Sequence, residues 1–228
     1  MTRYLDLPSP LMNAYFDIHT HHSPIEAGKA CIVNCSPDSF APGPEGWYSV
    51  GIHPWSLPDE VPQEAWKELQ AMAGHPQVLA VGEAGLDKLA TAPMELQEAA
   101  FVRQAAIAET VGKPLIVHLV KATDGLLRLK KRMNPRMPWL VHGFRGKAQL
   151  AEELLHHGLF LSFGAKFQEE AIRTTPMSRL LIETDESPVP IAEIYARVAA
   201  ARQIPLADLC EAVRANVQSV FFHQFSLR

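Results

Sequence analysis

Eight short apolar segments recur along this chain of 228 residues, and helical patterns separate most of them. Such runs, bounded by Gly, Pro or polar residues, predict β-strands. They span residues 14–21, 28–35, 47–53, 78–83, 114–120, 138–144, 159–163 and 180–185. Apolar spacing predicts helices over residues 61–73, 94–111, 124–133 and 147–157, with two or three more after residue 192.

The alternation of strands and helices predicts one (β/α)₈ TIM barrel, of the α/β class, spanning residues 1–228. The continuous apolar run at residues 78–83 is typical of a parallel strand buried on both faces. The stretch 36–46 is rich in Pro and Gly, so we expect the barrel to be slightly truncated after its second strand. An open doubly wound sheet is the alternative.

Charge and cysteine content narrow the class of protein. The net charge of −4 provides no global basic field for nucleic acid or an anionic membrane. The three cysteines, Cys31, Cys35 and Cys210, lack metal-finger spacing and are predicted to be reduced thiols. Residues 1–13 do not resemble a signal peptide, and no apolar run is long enough to span a membrane. We therefore expect a cytoplasmic protein, and nothing in the sequence requires an obligate protein partner.

Polar side chains collect where the predicted strands end. His19 and His21 lie two residues apart on the first strand, so their side chains share one face. Five more groups lie at or just past the ends of other strands: His53, Glu83, His118, His142 and Asp185. Barrel enzymes carry their active sites at this end. Four other histidines fall on helices or at their ends and are given no role in chemistry: His75, His156, His157 and His223.

This collection of imidazoles and carboxylates is a ligand set for two divalent ions. A divalent ion lowers the pKa of water towards neutrality, and a second ion stabilises the opposite oxygen. Glu83 is the candidate bridge, because its strand faces the His19/His21 pair across the barrel. We interpret Asp17 as a positioning group. Glu183 either joins the site or pairs with a buried base, and His53 either contacts substrate or binds metal.

Six motifs in this order resemble the TatD family of metal-dependent hydrolases, a branch of the amidohydrolase-like barrels. They cover about residues 15–221 and are Phe16-Asp17-Ile18-His19-Thr20-His21, Gly51-Ile52-His53-Pro54, Gly82-Glu83-Ala84-Gly85-Leu86-Asp87, Pro114-Leu115-Ile116-Val117-His118, His142-Gly143-Phe144-Arg145-Gly146 and Ile182-Glu183-Thr184-Asp185. The segment Asn216 to Phe221 resembles the closing helix of the family.

The resemblance implies a residue-by-residue assignment. His19, His21 and Asp185 would hold the first metal, His118 and His142 the second, and Glu83 would bridge them. Asp185 would also orient or deprotonate the attacking water. Family members depend on Zn, Mg or Mn and are commonly described as deoxyribonucleases. The resemblance therefore implies a phosphodiesterase of the deoxyribonuclease type, with Asp185 and Glu83 as catalytic residues. The net charge of −4, with only a few basic residues after the strand ends, predicts a substrate with few phosphates, either a DNA end or a short phosphodiester.

The sequence departs from the family pattern where substrate contacts are expected, at Lys88, Val120, Gly143, Arg145 and Glu186. His53, Lys121 and Arg145 are the candidate substrate contacts. Two other hydrolase classes remain open on the same metal site: an amide, ester or lactone hydrolase of the amidohydrolase type, and a PHP-like phosphoesterase. A binding module with a decayed site is disfavoured, because none of the ligands is missing.

Overall fold

The computed structural model describes residues 15–22, 30–44 and 46–222. The residues examined for a signal peptide, and His223, lie outside this part of the chain. Eight strands form one sheet in sequence order, and every neighbouring pair is parallel. They are β1 (Asp17–Thr20), β2 (Cys31–Cys35), β3 (Trp47–Val50), β4 (Val78–Asp87), β5 (Leu115–Val120), β6 (Trp139–Val141), β7 (Phe160–Phe163) and β8 (Leu180–Ile182).

The two edge strands of this sheet meet, so it is a nearly closed barrel and not the open sheet kept as an alternative. Thr20, at the end of β1, forms a parallel bridge with Asp185, which follows β8. The phenolic oxygen of Tyr195 adds a second connection across the seam. It donates to the carbonyl oxygen of Phe16 at 2.8 Å and accepts from the amide of the same residue at 3.2 Å.

Seven α-helices alternate with the later strands in the described residues. They are α1 (Gln63–Ala73), α2 (Met94–Val111), α3 (Thr123–Met133), α4 (Ala148–His156), α5 (Glu169–Thr174), α6 (Ile191–Arg202) and α7 (Leu206–Phe221). Four of them begin directly after a proline, namely Pro62, Pro93, Pro190 and Pro205. Proline is tolerated at the start of a helix because the amide that it lacks would have no partner within the helix. None of the helices in the described residues has the length and apolar character needed to cross a bilayer.

Two predictions of helices and strands need correction, and a third agrees with the structure. β4 continues four residues beyond its predicted end at Glu83, because Ala84–Asp87 pairs with β5 after a register shift. Helix α5 was not predicted, since its six residues are too short and too polar to form an apolar repeat. The described residues between β2 and β3 contain one 3₁₀ turn, Pro37–Ser39, in agreement with the truncation predicted there.

The tail helices close the outer layer against the barrel. α7 buries Asn216, whose side-chain amide donates to the carbonyl oxygens of Met177 at 2.6 Å and Leu180 at 2.8 Å. On the opposite side, Trp139 of β6 is fully buried edge-on against Phe101 of α2. The core is therefore a continuous apolar layer between sheet and helices, and polar side chains inside it stand out.

Candidate metal centre

One group of donor atoms surrounds a single oxygen of Glu83. The Nε2 atoms of His19 and His21 lie 3.4 and 3.5 Å from Glu83 Oε2. Asp185 Oδ1 lies 4.0 Å from His19 Nε2 and 3.7 Å from His21 Nε2. Donors held at 2.0–2.2 Å around one tetrahedral ion are about 3.3–3.6 Å apart, so this spacing is close to that of a metal-binding group.

Barrel closure places Asp185 in this group. Its amide donates to the carbonyl oxygen of His19 at 2.9 Å, and its own carbonyl oxygen accepts from the amide of His21 at 3.1 Å. The φ angle of Asp185 is 57°, a left-handed conformation in which Asp is more frequent than most residues. The carboxylate thus reaches the histidines of β1 because the backbone after β8 pairs with that strand.

A second group surrounds the other oxygen of the same carboxylate. Glu83 Oε1 lies 2.7 Å from His118 Nδ1, 2.6 Å from His142 Nε2 and 3.2 Å from His53 Nε2. Asn34 of β2 holds the backbone of Glu83 by accepting from its amide at 2.9 Å. Glu83 therefore separates the imidazoles into two groups, one for each of its oxygens.

Two further carboxylates lie behind the second group. Asp87 Oδ2 is 3.1 Å from His118 Nε2, and Glu183 Oε1 is 3.4 Å from His142 Nδ1. Glu183 is fully buried and also accepts from the amide of Gly143 at 2.6 Å. His118 and His142 each face a carboxylate with both ring nitrogens, although a neutral imidazole carries only one N–H.

These contacts displace the pKa values of the buried groups. Burial alone would raise the pKa of Glu83, but the charge of His142 and the contacts with the surrounding imidazoles, His118 above all, outweigh it and hold that pKa well below its usual value. Burial opposes the charged form of His142, yet Glu83 and Glu183 raise its pKa well above the usual value. Burial raises the pKa of Asp17 to about 7, against hydrogen bonds from Thr184. The buried carboxylates Glu83 and Glu183 therefore stabilise positive charge among the imidazoles, and a bound cation could supply that charge as well.

The donor atoms fit divalent ions. His19 is fully buried, and neither of its ring nitrogens has a hydrogen-bond partner in the described structure. A buried polar atom without a partner is costly, and a cation at Nε2 removes that cost. His118 and His142 could likewise offer one lone pair each to a cation, and their N–H groups would then remain for Asp87 and Glu183. Three overlapping groups meet the distances expected of a metal site: His19, His21 and Glu83; His19, His142 and Asp185; and His53, Glu83 and His118.

The remaining predicted site residues lie around this cluster. Arg145 is exposed, and its Nη2 is 3.7 Å from Asp185 Oδ2. His53 Nδ1 accepts from the amide of Trp55 at 3.1 Å, so a neutral ring carries its hydrogen on Nε2, facing Glu83. Lys121 is exposed directly after β5, with a positive φ of 53°. A cavity of about 330 Å³ adjoins Asp185 and is lined by Arg145 and by Lys166, which sequence reasoning did not select.

Sequence reasoning also missed the groups that hold the ligands. Asp87 belongs to a quoted motif but was given no role. The buried glutamines of α2 clamp the strand ends: Gln97 bonds both backbone groups of Asp87, and Gln104 bonds both of Ile52. In the sequence, these two glutamines stand among the apolar residues that face the barrel, and this position indicates buried side chains that bond to the backbone. Asp17, predicted as a positioning group, accepts from the amide and hydroxyl of Thr184 at 2.9 and 2.6 Å and from the backbone amide of His19 at 3.4 Å.

The fold and the site together define a parallel α/β barrel with a candidate metal centre at the carboxyl ends of its strands. The family model described as TatD-related DNase matches residues 41–222. The chain belongs to this TatD-related family. The matched residues include Glu83, His118, His142 and Asp185, whereas His19 and His21 precede them and enter the site through its geometry.

Individual relatives agree with this family. The chain is 36% identical over 148 residues to the uncharacterised metal-dependent hydrolase YabD of Bacillus subtilis, covering 60% of this chain and 57% of the relative. It is 33% identical over 171 residues to the 3′-5′ ssDNA/RNA exonuclease TatD of Klebsiella pneumoniae, covering 70% and 64%. The chain thus spans less than two thirds of either relative. The crystal structure of YjjV, a TatD homologue from Escherichia coli, has the same fold, with a TM-score of 0.81, 24% identity and coverage of 92% and 98%.

Proposed function

We propose that this chain is a metal-dependent phosphodiesterase that hydrolyses the ends of single-stranded nucleic acid or short phosphodiesters. In this proposal His19, His21 and Asp185 hold one divalent ion, His118 and His142 hold a second, and Glu83 is shared. The observation that carries it is the division of the imidazoles between the two oxygens of Glu83. The similarity to the 3′-5′ ssDNA/RNA exonuclease of Klebsiella pneumoniae supports the substrate class.

The number of imidazole donors favours Zn over Mg or Mn, because imidazole nitrogens suit Zn whereas Mg and Mn prefer oxygen ligands. When bound, the ions would lower the pKa of water and neutralise charge on the phosphate oxygens. Asp185 takes one proton from the attacking water through its carboxylate. The water oxygen bonds to phosphorus, the bond from phosphorus to the leaving sugar oxygen breaks, and that oxygen gains a proton from solvent.

The groups around the cluster suit a substrate with few phosphates. Arg145 and Lys166 line the cavity beside Asp185 and supply positive charge there. His53 directs an N–H at Glu83, which favours a hydrogen-bonding role over metal ligation. Lys121 is exposed after the strand that carries His118, and it would contact a phosphate farther from the scissile bond. The overall charge of −4 offers no extended basic track for the middle of a duplex.

The experiment combines metal analysis with hydrolysis of two matched substrates. We expect two ions per chain in metal-replete protein. We also expect metal-dependent cleavage of a linear single-stranded oligonucleotide, with little cleavage of the same sequence as a circle. Removing the ions with a chelator should abolish cleavage, and adding back Zn should restore it more fully than Mg or Mn does.

The site control is Asp185→Asn, which keeps the shape of the side chain but cannot take a proton. Its rate should fall about 10²- to 10⁴-fold while metal content is retained. One ion or none in replete protein would contradict the two-metal assignment. Efficient cutting of the circle would contradict end-directed action, and hydrolysis of amides, esters or lactones without any phosphodiester would move the protein to the amidohydrolase class.

A further inference from the structure

The exposed large hydrophobic side chains of the described residues are concentrated at one place beside the metal centre. They are Trp55 and Leu89, which are 69% and 68% exposed. Both residues are hydrogen-bonded to the carboxylate of Asp87. The side-chain Nε1–H of Trp55 donates to Oδ2, and the backbone amide of Leu89 donates to Oδ1, each at 2.7 Å. A tryptophan kept for packing buries its ring, so an exposed ring at this place requires another explanation.

The indole of Trp55 is held in place although it is exposed. Its Nε1–H is bonded to Asp87, and its backbone amide donates to His53 Nδ1 at 3.1 Å. The preceding residue, Pro54, is buried and anchors the 3₁₀ turn Pro54–Ser56. A surface held in this way loses little conformational freedom when a ligand binds to it.

The ring lies next to the groups that surround Glu83. Its centroid is 5.0 Å from that of His53 and 5.9 Å from that of His118, with both pairs edge to face. His118 Nδ1 and His53 Nε2 both approach Glu83 Oε1. The indole therefore lies directly beside the second group of imidazoles, where a phosphate held at the cluster would be within reach.

We propose that Trp55 is a stacking platform for the unpaired base of the terminal nucleotide whose phosphate lies at the cluster. This inference rests on the proposed function and adds that Trp55 recognises the base of the substrate in addition to its phosphate. An aromatic face accepts any of the bases, because every base offers a π-face. The base must be free of a duplex to reach the ring, so the platform selects single-stranded ends without selecting a sequence.

The test measures binding alone, with metal-replete protein and two probes that carry the same phosphate. Deoxyadenosine 5′-monophosphate has a base, and 2-deoxyribose 5-phosphate does not. The wild-type protein should bind the nucleotide roughly 5- to 140-fold more tightly, the ratio that corresponds to about 1–3 kcal/mol for one stacked base. Calorimetry with each probe gives this ratio, and the nucleotide should also quench tryptophan fluorescence.

Trp55→Phe and Trp55→Leu form a matched pair. Both variants lose the N–H bonded to Asp87, but only Phe keeps an aromatic face. The Phe variant should retain most of the preference for the nucleotide, and the Leu variant should bind the two probes within about twofold of each other. Trp47→Phe, at the opposite end of β3, should keep both the preference and the fluorescence quenching.

Equal binding of both probes by the wild type would overturn the inference, as would binding of neither. It would also be overturned if the Phe and Leu variants behaved alike, because Trp55 would then act through its bond to Asp87. Metal content is measured for each variant so that loss of the ions is recognised directly. Failure of the proposed function is read separately, from the absence of phosphodiester turnover in the wild type.

Discussion

At the scale of single residues, the carboxylates behind the histidines determine which ring nitrogen faces Glu83. Asp87 accepts from His118 Nε2, so the Nδ1 atom of that ring faces Glu83. Glu183 lies against His142 Nδ1, so the Nε2 atom of that ring faces Glu83. The two imidazoles therefore use different nitrogens. Carboxylates in this position commonly hold the tautomer of a ligating histidine and raise its basicity.

Asp87→Asn should weaken metal binding at the second group. The side-chain amide of Asn is uncharged, so it is a weaker acceptor than Asp87 Oδ2 for the N–H groups of His118 and Trp55. His118 would therefore lose the partner that fixes its tautomer. Losses of such partners typically reduce metal affinity about 10- to 100-fold. Competition with a chromogenic chelator measures the affinity of the weaker and the tighter ion separately.

The control for this variant is Asp124→Asn, which changes the same functional group on the exposed first turn of α3. Its metal affinity should equal that of the wild type. Unchanged affinity in Asp87→Asn would show that His118 keeps its orientation without the carboxylate.

At the scale of elements, β4 carries more of the site than any other strand. It holds Glu83 and Asp87. The register of β4 against β5 shifts between Val81 and Ala84, so Glu83 lies within the shift and Asp87 lies beyond it. Glycines allow the neighbouring strands to come this close. A Cβ on Gly85 would lie 2.0 Å from the carbonyl oxygen of His118, and Gly82 has a φ of 135° that side chains rarely tolerate.

Gly85→Ala should therefore destabilise the protein and disturb the second metal group together. Overpacking of this kind costs about 1–3 kcal/mol, because strand β5 must move away and His118 moves with it. Thermal unfolding measures the loss of stability, and elemental analysis measures the loss of bound metal.

Gly125→Ala is the matched control on α3. The added Cβ would meet flexible side-chain ends at 3.4 and 3.5 Å, and replacing glycine in a helix gains about 0.5–1 kcal/mol. This variant should be as stable as the wild type or more stable, with full metal content. A stable Gly85→Ala protein that retained its metal would contradict the role given to the close approach of β4 and β5.

At the scale of the whole molecule, the net charge of −4 has a local counterpart, because three carboxylates line the cavity next to the cluster: Glu183, Asp185 and Glu186. Two cationic side chains, Arg145 and Lys166, line the cavity next to Asp185. Affinity for a single strand falls with salt in proportion to the number of phosphates neutralised, with a logarithmic slope of about −0.7 for each. Few contacts therefore mean a shallow salt dependence.

We expect a slope of about −1.4 for binding of a short single-stranded oligonucleotide, corresponding to two neutralised phosphates. Arg145→Ala should reduce the slope to about −0.7. Lys131→Ala, on the last turn of α3, should leave it unchanged. Fluorescence anisotropy across a salt series measures all three, and a slope several times steeper would indicate an extended nucleic-acid track.

The sequence alone was sufficient for the number and order of the strands and for the end of the barrel at which the candidate ligands lie. Strand segments are read from local apolar patterns, and in a parallel barrel every strand delivers its carboxyl end to the same mouth. The prediction that His19, His21, Glu83, His118, His142 and Asp185 meet there therefore required no knowledge of long-range contacts, and the structure brings all six together.

Only the tertiary structure decided how these side chains are arranged within the mouth. The division of Glu83 between two groups, the pairing of Asp87 with His118, and the exposure of Trp55 depend on contacts between residues distant in sequence. Asp185 reaches the first group because the backbone after β8 pairs with β1. Local patterns carry no information about such contacts, since barrel closure, register shifts and buried hydrogen bonds arise only when the separate strands pack together.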